Sequence, residues 1–357
     1  MLFPPALDLL ELLLMSPEEK NISTSAYKKE SRLATTVTSP FPRRQFMKWS
    51  VAALPGVGLL SALNRINAAE TAITASKPNS KFAGVHVGLN VPYSFANASM
   101  SGDDILRNCV QLGLSAVELR TQPVEAFLGV PAELVNTKKS TDAADAKSRT
   151  EKLAAWRKAV SMDRAKEFRK KYETAGVFIE IIKVDGLFKM TDDELDYAFT
   201  LAKALGGRAI SSEISNKDDD LKRLGQFADK HQLMVGYHGH ATTKPEHWEK
   251  AFSFAKYNGA NVDLGHFVAG NNVSPVPFIK KHHERITHVH VKDRKMHNGP
   301  NTPFGEGDTP IADVLRLIRD NKWNIQATIE FEYKIPAGSD RMKELARAIK
   351  YCHDALV

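Results

Sequence analysis

The chain has 357 residues, 43% hydrophobic and 25% charged, with a formal net charge of +7. This is globular composition with enough apolar material for a large core, which excludes a disordered or collagen-like chain. The positive charge comes without a Lys/Arg run interleaved with aromatics, so no nucleic-acid partner is expected.

The first forty residues lack periodicity beyond the apolar stretch Leu9 to Met15, and a Ser/Thr-rich run follows. Then comes "PRRQFMKWSVAALPGVGLLSALNRINAAE". Arg43 and Arg44 form an adjacent pair, Phe46 follows, and an apolar run extends from about Val51 to Leu63. That run is shorter than the ~20 residues of a membrane span. Small residues then surround Ala68 and Ala69. Residues 1–70 are therefore expected to be a disordered N-terminus and a twin-arginine export signal. The expected location is periplasmic or otherwise exported, with no membrane anchor after cleavage. The two cysteines, Cys109 and Cys352, have no CxxC spacing and read as small buried hydrophobes.

From Lys81 onward, β-rich runs alternate with helical patterns, which assigns 81–357 to one catalytic domain. The runs are "GVHVGLNV", "SAVELR", "VFIEIIKV", "RAISSEI", "LMVGYHGH", "ANVDLGHF", "ITHVHVKD" and "QATIEFEY". Thr191-Asp-Asp-Glu194 reads as a helix capping box, and Gly113, Gly176 and Gly206 sit where helices should stop. Strict alternation of eight strands with helices predicts a (β/α)8 TIM barrel. An open doubly wound sheet is the runner-up, but "GLNVPYSF" is not the Gly-rich phosphate loop it would carry. The long connection from about Thr121 to Ala159, with "NTKKSTDAADAKSRT", reads as a solvated loop and the start of a helix, or as a lid.

Barrel chemistry sits at the C-terminal ends of strands. From the fourth strand onward those ends carry Glu213; His238 and His240; Asp263 and His266; His288, His290, Lys292 and Asp293; and Glu330 and Glu332. Period two puts His288 and His290 on one face of their strand and Val289 and Val291 on the other. Imidazoles and carboxylates inside a barrel are costly without partners. Five consecutive strands ending in such groups point to a divalent metal, with Mn²⁺, Zn²⁺, Co²⁺, Fe²⁺ and Mg²⁺ all compatible.

On these motifs the stretch from Gly84 to Leu356 resembles the xylose isomerase-like barrel superfamily of sugar phosphate isomerases and epimerases. Asp263-Leu-Gly-His266 fits its D-x-x-H, His290-Val-Lys292-Asp293 its H-x-K-D, and "IEFE" its I-E-x-E. "PFGEGDTPI" is similar to its G-E-G turn, from which Glu306 or Asp308 would reach the site. The resemblance implies metal ligands Glu213, His238, Asp263, His290 and Glu330. It implies catalytic roles for Glu213, Glu330 and His266, and substrate contacts for His240, Lys292, Arg294 and Glu332. Lys292 reads equally as the partner of Asp293 or another carboxylate. The sequence departs from the pattern at strand five, where His238 replaces the glutamate of the sugar epimerases.

The implied activity is a metal-dependent isomerase or epimerase acting on a sugar or keto-sugar through an enediolate. The alternative is a lyase or hydratase acting on 3-keto-sugar derivatives. An abasic-site endonuclease shares the barrel but conflicts with the export signal and the absent basic clusters. An exported sugar-binding protein without catalysis would have lost ligands that are retained here. A small-molecule sugar is the expected partner, and a homo-oligomer is left open.

Overall fold

The computed structural model describes residues 77–135 and 143–357; the twin-arginine segment lies outside them. Eight parallel strands close into a barrel: β1 (Val85–Val91), β2 (Ala116–Arg120), β3 (Phe178–Lys183), β4 (Ala209–Glu213), β5 (Met234–His238), β6 (Asn258–Asp263), β7 (Ile286–Val291) and β8 (Gln326–Ile329). Closure is made by β1, which pairs with both β2 and β8. The helices are α1 (Gly102–Gln111), α2 (Thr121–Leu128), α3 (Ala132–Val135), α4 (Ala143–Ala159), α5 (Asp163–Thr174), α6 (Asp192–Ala204), α7 (Asp218–His231), α8 (Pro245–Phe254), α9 (Leu264–Asn271), α10 (Val276–His282), α11 (Ile311–Asp320) and α12 (Arg341–Leu356).

The strands alternate as a two-faced surface must. Val87, Leu89, Val91, Val289, Val291, Ala327 and Ile329 are fully buried and belong to the apolar core. Helix stripes such as Ile311, Val314, Leu315 and Ile318 of α11 supply the other half of that core. The intervening residues Asn90, Glu118, Asn261, His288, His290 and Thr328 are buried too. They bond to one another and to their neighbours across the barrel axis. The lumen is therefore a polar column, where a (β/α)8 barrel ordinarily packs Val, Ile and Leu. At its lower end the Arg208 guanidinium donates to Glu180 at 2.9 Å and to the Thr287 carbonyl at 2.8 Å.

Local signals behave as the sequence predicts. Thr191 and Glu194 form both halves of a capping box on α6. Gly113, Gly176 and Gly206 follow the last turns of α1, α5 and α6 with positive φ. Cys109 and Cys352 are buried, and burial pushes both thiols up to about 12. The long connection holds the expected start of a helix, as α4, and also carries α2 and α3. Arg157, near the end of α4, bridges Glu125 of α2 at 2.8 Å and Glu194 of α6 at 3.0 Å. Two half-buried or buried carboxylates sharing one guanidinium tie this charged helix to the barrel wall. Among the described residues, no helix is long and apolar enough to cross a membrane.

Candidate active site

His238, Asp263, His290 and Glu330 gather at the C-terminal mouth of the barrel, one each from the ends of β5, β6, β7 and β8. Strand pairing sets their level: Asp263 is opposite His290, and the Glu330 amide bonds to the Val291 carbonyl. One donor atom from each lies within 4.8 Å of the others, and all four side chains are buried. The closest separations are 3.3 Å from His290 Nδ1 to Glu330 Oε2, 3.5 Å from His238 Nε2 to Asp263 Oδ2, and 3.8 Å from His290 Nδ1 to Asp263 Oδ2. Donors ~2.1 Å from a tetrahedral ion lie roughly 3.4 Å apart. Among the described residues, His238 Nε2, Asp263 Oδ2 and His290 Nδ1 make no directed hydrogen bond. Asp263 Oδ2 has the Lys292 ammonium at 3.1 Å, but the two imidazole nitrogens beside it are costly without a partner, and a shared cation removes that cost. Two imidazole nitrogens and two carboxylate oxygens suit a borderline divalent ion, so the residues fit such a group.

Each imidazole of this group is backed by a further carboxylate. Glu213 Oε2 lies 3.2 Å from His238 Nδ1, and Glu118 Oε2 lies 2.6 Å from His290 Nε2. Glu213, expected as a ligand, therefore stands behind His238 rather than inside the four-donor group. Its other contacts are Lys183 Nζ at 2.5 Å and His240 Nε2 at 2.7 Å. Burial alone would raise its pKa, but His238 and Lys183 outweigh burial and hold it ionised.

Lys292 is fully buried, with its ammonium 2.6 Å from Glu332, 2.8 Å from Glu330 and 3.1 Å from Asp263. Burial disfavours that charge, yet the three carboxylates raise its pKa well above the usual lysine value. Its partner is not Asp293. That carboxylate accepts from the backbone amides of Gly305, Gly307 and Thr309, and so anchors the G-E-G loop. A Cβ at Gly307 would run into the Asp293 carboxylate, which is why a glycine stands there. Neither acid of that loop reaches the site: Glu306 is exposed, and Asp308 bonds to Lys295 and the Met296 amide.

His266 is not on a strand. β6 stops at Asp263, whose Oδ1 accepts from the His266 amide at 2.7 Å and caps α9. The D-x-x-H motif is thus a helix cap, with Asp263 using one oxygen for the cap and turning the other to the site. The His266 ring lies between Lys292 Nζ at 3.1 Å and Arg294 Nη1 at 2.7 Å. Burial, then the neighbouring cations, keep it neutral against the pull of Asp263. Arg294 also donates twice to the Gly299 carbonyl. Glu332 accepts from Tyr93 Oη at 2.6 Å as well as from Lys292.

Sequence reasoning missed Asn90, Glu118, Tyr93 and Lys183. Asn90 Nδ2 donates to Glu330 Oε1 at 2.8 Å. The only signal available was polarity at inward positions of the first three strands, whose ends were not searched.

The chain belongs to the xylose isomerase-like TIM barrel family, whose model matches residues 106–352. Among curated proteins, the chain is 28% identical over 135 residues to an inosose dehydratase of Clostridium botulinum. That match covers 31% of this chain and 45% of the relative, so the chain spans about half the length of the curated relatives it matches. Two solved structures share the fold. A probable 3-DHS dehydratase of petrobactin synthesis from Bacillus anthracis has a TM-score of 0.53 at 13% identity, covering 74% of this chain and 98% of that one. A sugar phosphate isomerase/epimerase from Parabacteroides distasonis has a TM-score of 0.52 at 16% identity, covering 79% and 99%.

Proposed function

We propose that the protein is a divalent-metal-dependent dehydratase or lyase acting on an uncharged keto-sugar or keto-polyol, with hydration as the reverse reaction. The observation that carries this reading is the Glu213–His240 pair. His240 Nε2 is held at 2.7 Å by Glu213, and the imidazole is half exposed at the mouth beside His238. A carboxylate-oriented imidazole is a general acid–base group. His240 removes the proton from the carbon next to the ketone, and the C–H electrons pass into an enolate. The enolate re-forms the carbonyl and makes a C=C bond as the β C–O bond breaks. The imidazolium returns its proton to the departing hydroxyl, so the products are an enone and water. One group serves both proton transfers from one face. Inversion at carbon ordinarily needs a second acid–base group on the opposite face. Glu330, the remaining candidate, is already bound to Lys292, Asn90 and His290.

His238, Asp263, His290 and Glu330 would hold the divalent ion, which would supply Lewis-acid stabilisation of charge on the carbonyl oxygen. Lys292 and His266 stand beside that group, with the Lys292 ammonium holding Asp263, Glu330 and Glu332 in place. The substrate is taken as uncharged because the cations here are committed: Lys183 to Glu213, Arg120 to Asp185, Lys292 to three acids, Arg294 to Gly299. The inosose dehydratase relatives support the dehydratase direction. The N-terminal twin-arginine segment supports action after export.

Isomerisation or epimerisation, the leading expectation from sequence, is the second reading. It is favoured by the Lys292–His266 pair, 3.1 Å apart, which can protonate an enediolate oxygen. Incubating the protein with Mn²⁺ and a panel of aldoses, ketoses, inososes and 3-keto glycosides in D₂O, followed by NMR, decides between them. Loss or gain of water supports the lyase. Solvent deuterium at the α-carbon with all oxygens retained supports the isomerase, and no exchange on any substrate rejects both. His240→Ala is expected to lower turnover by ~10²–10⁴-fold, the usual worth of a general acid–base group. Metal affinity, read by calorimetry, should stay unchanged in that variant.

A further inference from the structure

Glu118 is a carboxylate at the centre of the barrel, fully buried, on a strand that contributes nothing to the four-donor group. Burying such a charge costs several kcal/mol by itself, and an apolar residue would fill the space more cheaply. Its contacts show what the carboxylate does. Oε2 lies 2.6 Å from His290 Nε2 and 3.4 Å from His288 Nε2. His290 Nδ1, the other ring nitrogen, is the atom that faces Asp263 and Glu330. The His288 ring is fixed from its far side, its Nδ1 2.8 Å from Thr287 Oγ1.

These three side chains could themselves be read as a second metal cradle, since their donors also lie within 4.8 Å of one another. The 2.6 Å contact argues against that. It is a hydrogen-bond distance, shorter than the roughly 3 Å or more between two donors on one ion. His290 cannot give Nε2 to an ion while Glu118 accepts its proton.

We infer that Glu118 is a positioning residue for the metal group: by accepting the Nε2 proton of His290 from below, it fixes the ring and directs the Nδ1 lone pair at the ion shared with His238, Asp263 and Glu330. This rests on the reading of those four residues as a divalent-metal site. A carboxylate behind a ligand imidazole raises its basicity and locks its tautomer, and losing it typically costs 10–100-fold in metal affinity.

The test is Co²⁺ binding to the purified protein, measured by calorimetry and by the visible absorption of the bound ion. Glu118→Gln keeps the shape but removes the anionic acceptor. The expected result is ~10–100-fold weaker Co²⁺ binding with a shifted absorption spectrum. Glu118→Asp keeps the charge but withdraws it by one methylene. It should weaken Co²⁺ binding too, and it serves if the glutamine variant does not fold. Wild-type Co²⁺ affinity and spectrum in either folded variant overturn the inference, as does a lowered melting temperature with unchanged affinity. If the wild-type chain binds no Co²⁺, the metal reading itself falls and this inference with it. If Co²⁺ binds and depends on Glu118 but no keto-sugar is turned over, only the proposed reaction fails.

Discussion

His290→Ala is expected to abolish measurable metal binding and to give the largest loss of activity of any single substitution. The two ring nitrogens of His290 face two different buried acids, Glu118 on Nε2 and Glu330 on Nδ1. Burial opposes its positive charge, but Glu118 and then Glu330 outweigh burial and raise its pKa to about 10. Truncation removes a proposed ligand and strands two buried carboxylates together. Breaking a buried pair by deleting one partner costs about 3–5 kcal/mol. A loss of that size corresponds to a melting temperature lower by on the order of 10 °C in a domain of this size. Calorimetric metal titration and thermal melts check both parts. A variant that still binds metal at wild-type affinity would remove His290 from the ligand set.

Lys292→Met is the second large effect, and its signature differs. Methionine fills the space of the lysine stem but leaves Asp263, Glu330 and Glu332 without their shared cation. The apo protein should lose about 3–5 kcal/mol, the scale for uncompensated buried charge. Added divalent metal should restore more stability to this variant than to the wild type, because the ion then meets acids that no ammonium occupies. Metal at 100 times its Kd contributes about 2.7 kcal/mol by mass action to any folded state that binds it. Melting with Mn²⁺ and with EDTA, for both chains, reads the difference. An equal metal-induced shift in the two would show that Lys292 and the ion do not share the carboxylates.

Fold and site differ in how far each is legible from sequence. Strand positions were readable because each run alternates with period two, and Val289/Val291 against His288/His290 is the clearest case. Strand ends located His238, Asp263, His290 and Glu330 for the same reason. What was not legible depends on partners far away in the chain. Nothing near Glu118 in "SAVELR" announces a histidine 172 residues later, and nothing near Asn90 announces Glu330. The D-x-x-H motif misled locally: aspartate is a strong helix cap, and that preference ended the strand one turn before His266. Only the start of helix α4 was legible because its charged sequence lacks an apolar stripe, and Arg157 holds it by ion pairs instead.

The hydrogen bond from Asn90 to Glu330 joins the first strand of the barrel to the end of the last, across 240 residues of sequence. Its consequence concerns the order of synthesis. Asn90 has its Glu330 partner only once the segment that follows the eighth strand has been made. No earlier fragment holds all four donors, because Glu330 follows every other member of the set. On the proposed reading of those donors, a chain cut before β8 would lack one corner of the site and should bind divalent metal more weakly than the full chain.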